Sequence, residues 1–238
     1  MIAEAESGYV ISDLHLFAKR SVAARYLKAM RAAAEKADFF VLNGDIFDFC
    51  WTTLASIEHT IDAACQWLED LAKAHPHCRF IYVLGNHDGL QLFSDRLDEL
   101  CKDVPNLEWN ASFARVGTSL FFHGDIPLGS RRGDLLKREL TALGTKRGWA
   151  MKAWYDLVVA ARLHKGVASL HWAPRCTRRI MRMMNANHSE IFEGVTDIYF
   201  GHTHQAMSGH RHKGIRFHNT GSTIQGMRCN LLKVSAQA

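Results

Sequence analysis

Short apolar runs punctuate the chain. Tyr9-Val10-Ile11, Phe39-Phe40-Val41-Leu42 and Phe80-Ile81-Tyr82-Val83-Leu84 have no polar interruption, as strands covered on both faces do. Between them, apolar residues recur at helical spacing. One such stretch runs from about Ser21 to Lys36, with Tyr26, Leu27 and Met30 on one face; another runs from Ile57 to Ala74 through Ile61, Ala64, Cys65 and Leu68. Strands that alternate with helices pair in parallel through right-handed crossovers, which predicts an α/β fold. A third helix is expected from Leu90 to Leu100, and then the pattern changes. Leu107-Glu108-Trp109, Phe113 to Val116 and Leu120-Phe121-Phe122 crowd together around a Gly117-Thr118 turn and predict a second, hairpin-rich sheet. Residues 127–190 are helical in character, and strands return at Asp197–Phe200 and near 206–211, 214–218 and 229–234. The expectation is one domain over residues 1–238, with two β-rich halves and a helical insert at 127–190.

The ends of the apolar runs carry the chemistry. Five of them stop one or two residues before a polar block: Asp13-Leu14-His15, Gly44-Asp45-Ile46-Phe47-Asp48, Gly85-Asn86-His87-Asp88, His123-Gly124-Asp125 and Gly201-His202-Thr203-His204. Rigid strands aim such loops at a common crevice. A donor set of Asp, His and Asn without thiolates suits Mn, Fe or Zn rather than a soft ion. Asp13, His15, Asp45, Asn86, His123, His202 and His204 are too many ligands for one ion and about right for two sharing a carboxylate. Taken singly, Gly-Asp or Gly-Asn marks a turn, Asp13 caps the following helix and Asp125 is a turn residue. Five blocks together, all at strand ends, favour the metal reading. His59, His75, His77, His164, His171 and His188 read as surface or core residues. His210 and His218 flank the last block and Asn219-Thr220-Gly221-Ser222, whose amides are candidates to line the site.

Composition narrows the setting. The 238 residues suffice for one full core, and 47% hydrophobic with 22% charged residues is ordinary for a globular protein. No apolar run approaches the roughly 18 residues that span a bilayer. The N-terminus has no signal-like pattern. Six cysteines without Cys-x-x-Cys spacing fit free thiols in a reducing compartment, hence the cytosol. The net charge of +5 is uneven, because residues 127–190 hold thirteen Lys or Arg against four Asp or Glu. A basic segment beside acidic loops suits an anionic substrate. Arg175, Arg178, Arg179 and Arg182 share one helical face, with Cys176, Ile180, Met183 and Met184 on another. Together with the block Trp149, Met151, Trp154, Leu157 and Val158, this describes a lid for an amphiphile with a phosphorylated head, which arginine forks recognise well. The plainer alternative is a solvated arginine face, with the aromatic block packing the insert onto the core. No nucleic-acid motif accompanies the basic segment, so nucleic acid is not the expected partner.

In order from Asp13 to His204, the blocks Asp-x-His, Gly-Asp-x-x-Asp, Gly-Asn-His-Asp, His-Gly-Asp and Gly-His-x-His resemble the calcineurin-like metallophosphoesterases. The resemblance implies a two-layer mixed β-sandwich flanked by helices, with a binuclear centre of divalent ions, Mn foremost and Fe or Zn as alternatives. It implies that Asp13, His15, Asp45 and His204 hold one ion and Asp45, Asn86, His123 and His202 the other. Two cations roughly 3.5–4 Å apart would lower the pKa of a bridging water, whose hydroxide attacks phosphorus in line. His87 is the candidate to hydrogen-bond or protonate the leaving group. By the same resemblance Asp48 orients His87, while Asp88 is read as structural. The opening Ile11-Ser12-Asp13-Leu14-His15-Leu16, the helical insert and Gly-His-Thr-His are similar to the UDP-2,3-diacylglucosamine hydrolase branch. That likeness implies a lipid-linked pyrophosphate substrate and peripheral contact with the inner membrane, and the shared helical face makes Arg175, Arg178, Arg179 and Arg182 the candidate substrate-binding groups. The branch typically carries Arg and Glu where this chain has His87 and Asp48, a pair seen in broader phosphomonoesterases and diesterases. A broad-specificity phosphoesterase is therefore the alternative. A non-catalytic scaffold of the same fold would have lost ligands, and none is lost here.

Overall fold

The computed structural model describes residues 6–128, 140–141, 146–161, 172–187 and 189–236. Its first half is a wound α/β unit. Strand β1 (Glu6–Ile11), helix α1 (Ala24–Ala34), β2 (Phe39–Asn43), α2 (Ile57–Ala74), β3 (Arg79–Val83), α3 (Gln91–Asp103) and β4 (Leu107–Asn110) alternate in order. The four strands lie side by side in parallel. The second half begins with the antiparallel hairpin β5 (Phe113–Val116) and β6 (Ser119–Phe122), then a one-turn helix α4 (Asp125–Leu128). The described insert holds helices α5 (Trp149–Ala160) and α6 (Ala173–Asn187). After a short 3-10 turn come β7 (Asp197–Phe200), β8 (Met207–His212) and β9 (Ile215–Asn219), giving a second sheet in the order β5-β6-β7-β9-β8. The last strand, β10 (Leu232–Ala236), returns to the first sheet, antiparallel against β1.

Strand alternation explains the layering. In β2, Phe39 and Val41 face the second sheet and meet Phe121 and Tyr199, while Phe40 and Leu42 face the helices. All five β2 residues are buried, as the unbroken apolar run requires. Helices α1, α2 and α3 cover the outside of the first sheet, and α6 covers the second with Cys176, Ile180, Met183 and Met184 against Phe122, Ile198 and Phe217.

Three expectations need correction. Leu107-Glu108-Trp109 does not join the hairpin sheet; as β4 it pairs in parallel with β3, Tyr82 opposite Trp109. A whole helix, α3, separates the two strands, so the chain returns in the same direction and buries Leu107 under the first layer. Helix α1 starts three residues late because Ser21 is spent on the neighbouring loop, its hydroxyl donating to Leu14 O at 2.6 Å. The aromatic block of α5 does not pack onto the core: Trp149 is 85% exposed, Leu157 66% and Trp154 62%. It is the polar face of α5 that meets the body. Asp156 takes Lys19 Nζ at 2.6 Å and Arg20 Nε at 2.7 Å, Lys152 Nζ donates to Thr52 O at 2.5 Å, and Tyr155 packs on Trp51. Of the four arginines on α6, Arg175, Arg178 and Arg182 are exposed and Arg179 is half-buried. His164, His171 and His188 lie outside the described residues.

Candidate metal centre

The polar blocks gather at the carboxyl ends of the strands of both sheets. The loop after β1 is zipped to the loop after β2 by main-chain bonds, Asp13 N to Gly44 O at 3.0 Å, His15 N to Asp45 O at 2.9 Å and Leu16 N to Ile46 O at 2.8 Å. Phe47 pins the second loop from beneath; it is fully buried and packs on Phe17, Trp67, Tyr82 and Phe93. The two sheets are tied by Asn43, whose Nδ2 donates to Phe122 O and Tyr199 O at 3.2 and 3.3 Å. Glycine is required where these loops touch. A Cβ on Gly85 would collide with the Asp45 carboxylate, and one on Gly201 with Asp13 Oδ2.

Among the described residues, seven other than glycine have positive φ, and five of them are candidate ligands: Asp13, His15, Asp45, His202 and His204. Left-handed backbone is sparsely populated outside glycine and persists where the surroundings impose it, so strain is concentrated at this spot.

The side chains converge. His204 Nε2 lies 3.2 Å from Asp13 Oδ1 and 3.3 Å from His15 Nε2. His123 Nε2 lies 3.1 Å from Asp45 Oδ2, and His202 Nδ1 lies 2.8 Å from Asn86 Oδ1. One donor atom from each of Asp13, Asp45 and His123 fits within 4.8 Å, as does one from each of Asp13, His15 and His204. A third such group combines His15, Asp45 and His87. Asp13, His15, Asp45, His123 and His204 thus share one cluster, which His202 adjoins with its ring centroid 5.5 Å from that of His123, and Asn86 through its contact with His202. Asp48 Oδ2 sits 3.1 Å from His87 Nδ1 and 3.3 Å from His15 Nδ1. Asp88 is structural, accepting from Tyr82 Oη, Gly85 N and Ile46 N.

This arrangement fits divalent ions. Two nitrogens held about 2.0–2.1 Å from one ion lie about 3 Å apart, which is how the His15 and His204 rings face each other. His123 is fully buried, with Nε2 against the Asp45 carboxylate and Nδ1 facing Asn43 O at 3.3 Å, so a main-chain acceptor orients a ring whose other nitrogen is available to an ion. The electrostatics agree. Burial opposes ionisation of Asp45, yet the His123 and His87 rings outweigh it and hold the carboxyl well below its usual range. Burial works against charge on His123 and His87 as well. The carboxylates of Asp45, and for His87 also Asp48, override it and push both rings up to about 10. His202 goes the other way, down to about 4, through burial and the neighbouring His123 charge. Buried carboxylates held ionised beside imidazoles are the donor chemistry that a divalent ion takes.

The family follows from a second line of observation. A model of the calcineurin-like phosphoesterases matches residues 9–206. The chain belongs to this family. As a calcineurin-like phosphoesterase it is metal-dependent, and the family's centre takes two divalent ions. Solved structures share its fold. A dimetal phosphatase from Danio rerio is 12% identical, with a TM-score of 0.51 over 98% of this chain and 93% of its own. A second structure is 13% identical, with a TM-score of 0.51 over 97% of this chain and 99% of its own. No curated protein matches.

Several residues of this phosphoesterase's site were not anticipated. Ser12 Oγ donates to Asp13 Oδ2 at 2.5 Å and is itself 2.6 Å from Thr220 Oγ1. Thr223 N and Ser222 Oγ both donate to Asp13 O. The Asn219–Ser222 turn therefore braces the Asp13 loop. The expectation that its amides line the site is overturned for Gly221 and Ser222, whose N–H groups go to Asn219 Oδ1 and Arg228 O. His218 contacts Asp197 at 3.0 Å and stacks on Tyr199. Asp13 caps no helix, because α1 begins eleven residues later. Asp125 opens α4 rather than standing in an isolated turn. Adjacency to Asp13 and Asn219 was the only signal for Ser12 and Thr220, and it does not single them out. No helix among the described residues is long and apolar enough to cross a membrane.

Proposed function

We propose that this phosphoesterase hydrolyses a phosphoester or pyrophosphate with two Mn ions. In this reading Asp13, His15, Asp45 and His204 hold one ion, and Asp45, Asn86, His123 and His202 the other. The observation that carries it is the convergence of those seven side chains around Asp13 and Asp45. Bound divalent ions would supply Lewis-acid polarisation of the phosphoryl group and a lowered pKa for water. The protein's own groups do the rest. His87 turns Nδ1 toward Asp48 and leaves Nε2 for the departing oxygen. Asp48 positions both His87 and His15, so one carboxylate orients a proton donor and a ligand together.

The finer reading is a phosphorylated amphiphile, such as a UDP-sugar lipid, met by a cytosolic enzyme at the inner membrane surface. What supports it is the outward apolar face of α5, with Trp149, Trp154 and Leu157, and the basic insert including Arg175, Arg178, Arg179 and Arg182. The His87/Asp48 pair favours the second reading, a broad phosphomonoesterase or phosphodiesterase. The Mn-loaded protein assayed on phosphomonoesters, phosphodiesters and a UDP-sugar pyrophosphate separates them by relative kcat/KM. Preference for the pyrophosphate supports the lipid reading, and preference for simple esters supports the second. Inertness on all three classes with two ions bound refutes the phosphohydrolase reading.

A further inference from the structure

Beside the metal loops lies a small half-open cleft of about 60 Å³ between α5 and the loops after β1 and β2. Trp51 and Tyr155 line it, their ring centroids 4.5 Å apart. Its charged residues are Lys19, Arg20, Lys152 and Asp156, three cations against one carboxylate. Asp156 bonds Lys19 and Arg20, and Lys152 bonds Thr52 O, so these cations are held in place rather than swinging in solvent.

The cleft is coupled to the candidate metal centre through the chain. Trp51 N donates to Asp48 Oδ1 at 2.9 Å, and the same carboxylate faces His87 and His15. On the other wall, Ala18 N donates to His15 O at 3.1 Å. A substrate whose phosphoryl group reaches His87 therefore has this cleft as a neighbouring place for its organic part. Size decides what fits. The enclosed space falls well short of the roughly 300–1,000 Å³ of a small-molecule pocket, so what it admits is one ring lying across its open mouth, not a pair of acyl chains. An indole and a phenol offer a planar ring apolar contact and π-stacking, and the net charge of +2 favours an anion beside it.

We propose that this cleft is the specificity subsite of the enzyme and takes a planar ring attached to the scissile phosphate, an aryl or nucleobase-type group. The inference rests on the phosphohydrolase reading above and names the part of the substrate that the metal loops do not touch. An acyl-bearing portion would have to lie elsewhere, along the outward face of α5.

The test compares three esters on the Mn-loaded protein: phenyl phosphate, uridine 5′-monophosphate and glycerol 2-phosphate, of which only the last has no ring. Trp51→Leu removes one wall, and Thr53→Leu crowds the rim while keeping both aromatic rings. Each variant should raise KM at least fivefold for the ring-bearing esters, with kcat within twofold and KM for glycerol 2-phosphate within twofold. A rise for uridine 5′-monophosphate alone identifies a nucleoside, and a rise for both ring esters identifies a general aryl site. Equal changes for all three esters, or no change for the ring-bearing pair, overturn the proposal. If none of these monoesters is hydrolysed, the phosphodiester and pyrophosphate assays above decide the phosphohydrolase reading separately. The cleft is then judged by calorimetry of phenyl phosphate on the Mn-loaded protein itself. Fivefold weaker binding after adding Trp51→Leu upholds it, and unchanged or undetectable binding overturns it.

Discussion

The metal loops and helix α5 sit side by side and are built on opposite plans. In the loops, Asp13, Asp45 and His123 are buried, and the backbone of Asp13 and Asp45 is left-handed and held by main-chain bonds between neighbouring loops. Helix α5 touches the same loops through a handful of long polar side chains and keeps Trp149, Trp154 and Leu157 in solvent. Ions are gripped well only where several groups are fixed within fractions of an ångström, which demands redundancy. A helix that meets substrate gains by being held lightly, because its contacts can change without unbuilding the centre. The chain thus separates what must be rigid for chemistry from what is free to set selectivity.

The largest test of that division is Asp45→Asn. This residue is flanked by His123 Nε2 and by His87 N, which donates to it at 2.8 Å. Changing even an outer partner of a metal ligand costs about 10–100-fold, so loss of Asp45 should cost more than a hundredfold in kcat/KM. Elemental analysis should show bound metal falling below two ions per chain. Full occupancy in the variant would remove Asp45 from the bridging position.

Acidity gives the next effect. His123 must lose its proton to bind an ion, and in the metal-free protein the Asp45 carboxylate holds its pKa at about 10 against the burial that lowers it. Loading at pH 7 should therefore release protons, and affinity should fall about tenfold per pH unit below 10 for each proton displaced. Calorimetry in two buffers of different ionisation enthalpy reads that release. In the metal-free protein, the raised His123 and His87 contribute stability that is complete below their ordinary value of 6.5 and is lost as pH rises toward about 10. The depressed Asp45 and Asp48 contribute stability that is complete above 3.8 and is lost on acidification. A melting profile without decline between pH 6.5 and 10 would contradict these pairings.

A smaller effect is expected one step out from the ions. Ser12→Ala removes the hydroxyl that holds Asp13 Oδ2 and should weaken metal binding by about 10–100-fold, with Ser12→Thr restoring much of it. Competition with a fluorescent chelator measures this without reference to turnover. The smallest belongs to α5. Asp156→Ala breaks two ion pairs with partly exposed partners and should cost less than about 1 kcal/mol in denaturant unfolding, with metal content unchanged. Loss of metal on breaking that clamp would mean α5 belongs to the rigid plan after all.

Much of this division is written locally. Strand, glycine and ligand are neighbours in the chain, so the unbroken runs, the helix from Ile57 to Ala74 and the five blocks at strand ends are readable from order alone. The two sheets and their covering helices follow from the same alternation. What the order of residues left open is whatever depends on contact between distant segments. Leu107–Asn110 has the look of a hairpin partner, and only packing under α3 put it in the first sheet. Ser12 and Thr220 are 208 positions apart and meet because the loop after β9, in the second sheet, packs on the loop after β1, in the first. The face of α5 that meets solvent was likewise decided by where Asp156 and Lys152 found partners on the metal loops. Periodicity can reveal that a helix is two-sided, but which side is covered depends on the surface it lands on.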